Sequence, residues 1–481
     1  MRIWENVKSH KKAYKYSLGT VVIVLLAVLG ILQMLSRGAA YIFNAEMEKQ
    51  TLLRGTIRVE TITAHINGHV YFENLEWLDP TGETIMLVPS GDFHVRVWDV
   101  FTKNIKSTTL QELTLNNAVF CVKLDENMKV DFLKQSEALE ELGEQKKLEE
   151  GWEQKVKTYT PEERKRRGEL ERRESRSRLE KQLRNFESSG THLKLKLDFN
   201  KCKMELFAKG QHYLLSNVDI KMDIDTNKIV DIDFSTGTFG GTMVGSGMAI
   251  DGYVDFTEKP VPLCDMSVRF NEVKPSSLGF GMNVNDRITL NTHFDGPISD
   301  PDSSGTVHMK ELHIPGFDFY DINGIIHLEE GKLLFDRVEA TVFGGKLVAD
   351  GEYDFDTRTY LIRGHGSELK ASEGLKKSGL NCLVELDIVV EGDSNPRKTV
   401  VKGEFVSGKG TYKWIPFKRL SGVFRSEYKD LHFWNARIEF YGLTVQTPKL
   451  RVKKGHLTMD PIDMYDMEGT YKLTIHPRIR E

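Results

Sequence analysis

Over long stretches of this chain, apolar and polar side chains alternate one by one. Leu193, Leu195, Leu197 and Phe199 are spaced by Lys194, Lys196 and Asp198. Val218, Ile220, Met222 and Ile224 are spaced by Asp219, Lys221 and Asp223, and Val384, Leu386, Ile388 and Val390 by Glu385, Asp387 and Val389. A period of two puts one set on one face of a β-strand and the other set on the opposite face. Between Arg54 and Val130 the same grammar appears. Ile57 and Val59 alternate with Arg58 and Glu60, and Phe93, Val95 and Val97 with His94 and Arg96. Asn67-Gly68 and Asp79-Pro80-Thr81-Gly82 carry turn chemistry between such runs. Antiparallel meanders joined by short turns are the expected arrangement.

The pattern breaks between positions 133 and 187. Charged residues of both signs dominate there and β-branched residues nearly vanish. Thr160-Pro161-Glu162-Glu163 joins a capping residue, a first-turn proline and acids that favour the positive end of a helix dipole. Two helices are predicted, over 133–157 and 161–186. Leu142, Leu148, Trp152 and Val156 would give the first a thin apolar stripe, and Leu170, Leu179, Leu183 and Phe186 the second. Such a charged helical hairpin reads as a solvated insert, or as a docking arm for a protein partner or the membrane surface. Its mixed charge argues against nucleic acid.

There is a weak internal echo. Thr238-Phe239-Gly240-Gly241-Thr242 recurs as Val342-Phe343-Gly344-Gly345-Lys346, with Phe440-Tyr441-Gly442 as a degenerate third copy. A spacing of roughly a hundred residues with strands throughout suggests an elongating sheet rather than separate folds.

A sheet with one apolar face must bury that face against something. No strong amphipathic helix follows Glu187, and the stretch 372–377 is too short for one. Three solutions remain open: two sheets facing each other in a sandwich, a closed barrel, or a sheet curled into a trough whose lining is covered by bound lipid.

Ahead of the strands, residues 17–35 read SLGTVVIVLLAVLGILQML without a charge, with Val21, Val22, Ile23, Val24, Leu25, Leu26, Val28 and Leu29 at the centre. As a helix this segment would span roughly 28 Å, close to the ~30 Å hydrocarbon core of a bilayer. Arg2, Lys8, Lys11, Lys12 and Lys15 precede it, whereas Arg37, Glu46 and Glu48 follow. Positive charge stays inside, so the N-terminus is expected in the cytoplasm and the remainder across the membrane. Gly38-Ala39-Ala40 offers a signal-peptide cleavage site as the alternative, but the apolar run is longer than such peptides carry. A single-pass anchor is expected.

Composition narrows the function classes. The formal net charge is −4 with 28% charged residues, which argues against a nucleic-acid binder. Cys121, Cys202, Cys264 and Cys382 are too widely spread for a zinc or redox motif. They read as small buried hydrophobes, with a disulfide open in an oxidising compartment. His65 and His69 flank a strand-turn rather than a metal pair. Gly240, Gly241, Gly245 and Gly247 lack the lysine and strand–loop–helix context of a phosphate loop. Asp295, Asp300 and Asp302 read as a loop before they read as a calcium site. No nucleophile motif stands out, so neither a cofactor, a metal nor an enzyme activity is expected.

Two stretches carry a family resemblance. The first is Gly55–Glu60 (GTIRVE), Val70–Leu78 (VYFENLEWL), Asp79 and Gly82, then Thr109–Asn117 (TLQELTLNN). The second is Gly296–Pro301 (GPISDP), Gly305-Thr306-Val307, Gly324-Ile325-Ile326, Phe343-Gly344-Gly345 and Gly351-Glu352-Tyr353. Together they resemble the AsmA-like family, relatives of TamB among the bridge-like lipid transfer proteins. The resemblance covers most of the chain except the charged helical insert, which is foreign to the family pattern, and the chain is shorter than the largest members. It implies a protein fixed in the inner membrane of a two-membrane bacterium, projecting a taco-shaped β-groove into the periplasm. It also implies phospholipid acyl chains as ligand and a role in lipid movement to the outer membrane.

The expected fold is therefore mainly β: a transmembrane helix, then an elongated, curled antiparallel sheet interrupted by a charged helical hairpin. Expected boundaries are 1–16 (cytoplasmic), 17–35 (anchor), 36–132 (first β region), 133–188 (insert) and 189–481 (second β region). The expected groove lining is Leu193, Leu195, Leu197, Phe199, Val218, Ile220, Met222, Ile224, Val384, Leu386, Ile388 and Val390. Phospholipids and the inner membrane are the expected partners, with a protein partner at the insert. The competing expectation is a membrane-tethered assembly or scaffold protein.

Overall fold

The computed structural model describes residues 55–124 and 159–476, apart from short stretches in loops and turns, together with most of 40–48. The expected anchor at 17–35 and the expected helix at 133–157 lie outside the described residues. Among the described residues, no helix is long and apolar enough to cross a membrane. The chain is mainly β and divides into two units. One is Met1–Gly151 with Ser188–Gly237; the other is Trp152–Glu187 with Thr238–Glu481.

The first unit holds β1 (Thr56–Ala64), β2 (His69–Leu78), β3 (Thr84–Val95), the one-turn helix α1 (Val97–Phe101), β4 (Leu110–Asn116), β5 (Val119–Leu124), β6 (Lys194–Ala208), β7 (Gln211–Asp225) and β8 (Ile229–Ser235). β1, β2 and β3 form an antiparallel meander. β4 and β5 both pair with β3 and are two halves of one broken strand, interrupted where Asn117 adopts φ +55°. The antiparallel expectation fails at one place, because β6 runs parallel to β4 and β5. A parallel neighbour needs a crossover connection, and the inserted segment between Leu124 and Lys194 supplies one. Beyond it, β6, β7 and β8 are antiparallel again. The polar face carries cross-strand charge pairs such as Lys196–Asp223 at 3.4 Å, which favour this register weakly.

The second unit begins with α2 (Pro161–Ser188), the expected second helix. Its start is a capping box. The Glu163 N–H donates to Thr160 Oγ1 at 3.2 Å, and the Thr160 N–H donates back to a Glu163 carboxylate oxygen at 2.8 Å. That exchange holds the Glu163 carboxyl below its usual range. The strands follow as β9 (Phe239–Gly241), β10 (Gly247–Asp255), β11 (Leu263–Val273), β12 (Ile288–Pro297), β13 (Asp302–Ile314), β14 (Phe317–Glu329), β15 (Lys332–Val342), β16 (Gly345–Asp354) and β17 (Thr359–Lys370). After the one-turn helix α3 (Ala371–Gly374) come β18 (Leu380–Asn381), β19 (Leu383–Asp393), β20 (Val400–Ser407), β21 (Gly410–Tyr412), β22 (Ile415–Glu427), β23 (Asp430–Phe440), β24 (Thr444–Lys453), β25 (His456–Met459), β26 (Ile462–Tyr465) and β27 (Tyr471–Ile475).

From β10 to β17 each strand pairs antiparallel with the next. The ladder continues β17–β19–β20–β22–β23–β24–β26–β27. Among the described residues no register joins β27 to β10, so those two strands do not close a barrel.

Several long strands contain a bulge at which a polar residue takes a left-handed conformation. Glu272 (φ +46°) sits where the β11–β12 register slips between Phe270 and Val273. Asp321, Arg337, Glu368 and Asn435 occupy equivalent slips on β14, β15, β17 and β23. Each bulge bends its strand and adds right-handed twist; repeated across the ladder, bulges curl the sheet. In the second copy of the echoed glycine motif, Phe343 (φ +46°) and Gly344 (φ +67°) form the two-residue turn between β15 and β16, whereas in the first copy Phe239–Gly241 is the short strand β9. Two positive φ values are what such a turn demands.

Candidate functional site

In the first unit the registers line apolar side chains up across all the long strands. One row runs Ile62, Phe72, Gly91, Leu115, Phe199, Ile220, Phe234. The next runs Ala64, Val70, Phe93, Leu113, Leu197, Met222, Ile232. Gly91 has a specific place in this face: a Cβ there would stand 2.4 Å from Phe72 Cζ, so the glycine makes room for the end of that ring.

Of the expected lining residues, Leu195, Leu197 and Phe199 pair with Ile224, Met222 and Ile220, so the two strands present one shared face. Leu193 lies just before β6. These seven side chains are half-buried, whereas Val218 is fully buried opposite Cys202. In the second unit Leu386, Ile388 and Val390 are buried and Val384 is half-buried. They belong to one apolar cluster that extends from Ile288 on β12 to Phe424 on β22, with Phe433 packed against it. Across this face Val338, Ala349, Gly364, Ile388, Gly403, Phe424 and Phe433 fall in register. A Cβ on Gly403 would stand 3.0 Å from the Phe424 ring, so small residues seat the large ones. Charged groups occupy the other face: Asp387 and Glu391 meet His365 and Lys402 at 2.7 and 3.1 Å. The outcome is an alternating sheet whose apolar face is closely packed in the second unit and more accessible in the first.

Sequence reasoning missed how α2 is held. The thin apolar stripe of α2 has no buried residue: Leu170 is exposed, and Leu179, Leu183 and Phe186 are half-buried. Instead its arginines reach the hairpin turns of the second unit. Arg172 meets Asp356 in the β16–β17 turn, and Arg176 meets Asp300 in the β12–β13 turn. Arg172 also lies over the β14–β15 turn, where a Cβ on Gly331 would strike its guanidinium. A cleft of about 470 Å³ remains between helix and turns, bounded by Gly168, Arg172, Ser175, Arg176, Leu179 and Ser299. Ion pairs, rather than close packing, define this contact. The only forewarning was the row of arginines itself.

The other candidates resolve into structural contacts. His65 stacks edge-on against Tyr71, and His69 lies face to face with His94. Asp300 is engaged by Arg176. Among the described residues no group of three or more His, Cys, Asp or Glu is placed to hold a metal. Gly403–Lys409 (GEFVSGK) has the spacing of a phosphate loop, but it runs through β20 into a turn and Gly410 stands where the hydroxyl would be. All four cysteines are free, and burial pushes each thiol pKa up. No family model, curated protein or solved structure matches this chain significantly.

Proposed function

We propose that this protein is a lipid carrier, anchored by residues 17–35 in the inner membrane of a two-membrane bacterium, with its strands in the periplasm. Phospholipid acyl chains would lie on the apolar face, and the protein would support lipid supply to the outer membrane. The observation that supports this most is the pair of apolar rows in the first unit, in which Leu197, Phe199, Ile220 and Met222 are left half-buried. Apolar side chains aligned across many strands and partly open to solvent call for an apolar cover. An acyl chain provides one, at about 0.8 kcal/mol per buried methylene. Because the rows are uniformly apolar, that gain changes little along the sheet, which suits a ligand that slides.

The test is lipid uptake by the full chain. Wild type in detergent or nanodiscs should extract a fluorescent phospholipid from donor vesicles. Ile220→Asp places a carboxylate between Phe199 and Phe234 and should reduce uptake at least several-fold with an unchanged circular dichroism spectrum. Uptake equal to wild type would overturn the reading. A second reading, a scaffold that grips a protein partner, is favoured by the exposed outer surface of α2. Deleting 133–186 separates the two: loss of function with lipid uptake intact favours the scaffold.

A further inference from the structure

The β21–β22 hairpin of the second unit displays an unusual tip. Its turn is two residues, Lys413-Trp414, between Tyr412 and Ile415, which pair with each other. Lys413 takes φ +55°, a conformation that two-residue hairpins normally give to Asn or Gly. The Trp414 side chain is 82% exposed, and Tyr412, Ile415 and Tyr441 are exposed with it. Large apolar side chains exposed together on one hairpin, unlike a single scattered one, mark an interaction surface.

Beneath the tip the structure is firm. Phe417 is fully buried in a small core with Ala371, Cys382 and Leu420. β18 pairs with β21 through Leu380–Tyr412 and Asn381–Thr411. The Lys413 N–H donates to the Gly379 carbonyl at 2.6 Å. The exposed aromatics therefore stand on a fixed base rather than on a loose loop.

The charges within the hairpin segment itself are of one sign. Residues 408–419 contain Lys409, Lys413, Lys418 and Arg419 and no Asp or Glu. The Lys413 ammonium lies 5.8 Å from the Tyr412 ring centroid, and the Lys418 ammonium 5.3 Å from that of Tyr441. These contacts hold the cations beside the rings they flank. Trp and Tyr settle at the headgroup level of a bilayer, where an apolar body and a polar tip are both satisfied. Lysines next to them face anionic phosphates and are drawn to the negative surface.

We propose that this hairpin tip docks on the surface of an anionic phospholipid bilayer, with Trp414 and Ile415 at the headgroup boundary and Lys413 and Lys418 on lipid phosphates. The proposal is independent of whether the sheet itself carries lipid. To test it, the full chain is reconstituted in nanodiscs of neutral phosphatidylcholine. It is then mixed with dense, sucrose-loaded vesicles of phosphatidylcholine, with or without phosphatidylglycerol, whose acyl chains are brominated. Co-sedimentation and tryptophan quenching should be at least several-fold greater with the anionic vesicles. Trp414→Ser should remove most of the quenching, and the double variant Lys413→Glu, Lys418→Glu should reduce co-sedimentation several-fold. Unchanged circular dichroism in both variants keeps the reading clear. Wild type that ignores anionic vesicles, or variants that co-sediment like wild type, would overturn the proposal in favour of a protein partner or none.

Discussion

Arg172 and Asp356 are 184 residues apart in sequence, yet Arg172 Nη1 donates to both carboxylate oxygens of Asp356, at 2.9 and 2.8 Å. The pair is partly buried, with side chains 29% and 14% exposed, so water screens it less than a surface pair. The neighbouring Gly168 permits the approach, because a Cβ there would stand 2.2 Å from Asp356 Oδ1. Arg172→Ala should loosen α2 from the turns by about 1 kcal/mol. Hydrogen–deuterium exchange along 161–188 should quicken roughly fivefold while the strands keep wild-type protection. Raising the salt concentration should quicken exchange less than the substitution does, because the pair is partly buried.

The apolar face of the first unit depends on one missing side chain. Gly91→Ala puts a Cβ 2.4 Å from Phe72 Cζ and 2.7 Å from the Thr114 carbonyl oxygen. The overpacking should cost about 1–3 kcal/mol, visible as a lower thermal unfolding midpoint. Adding Phe72→Leu should recover part of the loss.

His313 makes the pH dependence specific. Its backbone N–H and its Nδ1 reach the two carboxylate oxygens of Asp286 at 2.9 and 3.1 Å. That hydrogen bond from the side chain, aided by the charges of Asp286, Asp318 and Glu311, raises the imidazole pKa above the ordinary 6.5. The protonated imidazole is the form the fold favours. The pair therefore adds stability that is fully present below 6.5 and is lost as pH rises through the raised value. An NMR titration of the His313 ring should place its midpoint above 6.5, and Asp286→Asn should lower it.

Burial governs the cysteines. Desolvation is the leading cause of the raised thiol pKa at Cys121, Cys202, Cys264 and Cys382. For Cys121 the Glu205 carboxylate adds to it. A thiolate-dependent reagent should label the native protein slowly, with Cys121, the least buried, reacting first. Denaturation should release all four at once.

Much of this architecture was legible in the sequence. Period-two alternation identified the strands around Leu195 and Ile388 and the face each side chain takes, because pleating fixes both. The capping residue, first-turn proline and acids of Thr160-Pro161-Glu162-Glu163 located the start of α2, since they act through local contacts alone. Register was not legible. That Leu197 meets Met222 and Leu113 depends on turn geometry and on a crossover, and so did the parallel placement of β6. The partners of Arg172 and Arg176 lay in turns far along the chain, beyond the reach of any local pattern. Trp414 escaped notice because Lys-Trp is not a recognised turn pair. Only the folded hairpin exposes it.

The central claim is that the alternating face holds acyl chains, and bound lipid tests it most directly. The full chain, extracted gently and purified without added lipid, should retain phospholipid detectable by native mass spectrometry, in at least equimolar amount. Ile220→Asp should carry measurably less. Folded wild-type protein that carries no phospholipid, and acquires none when offered it, would contradict the account.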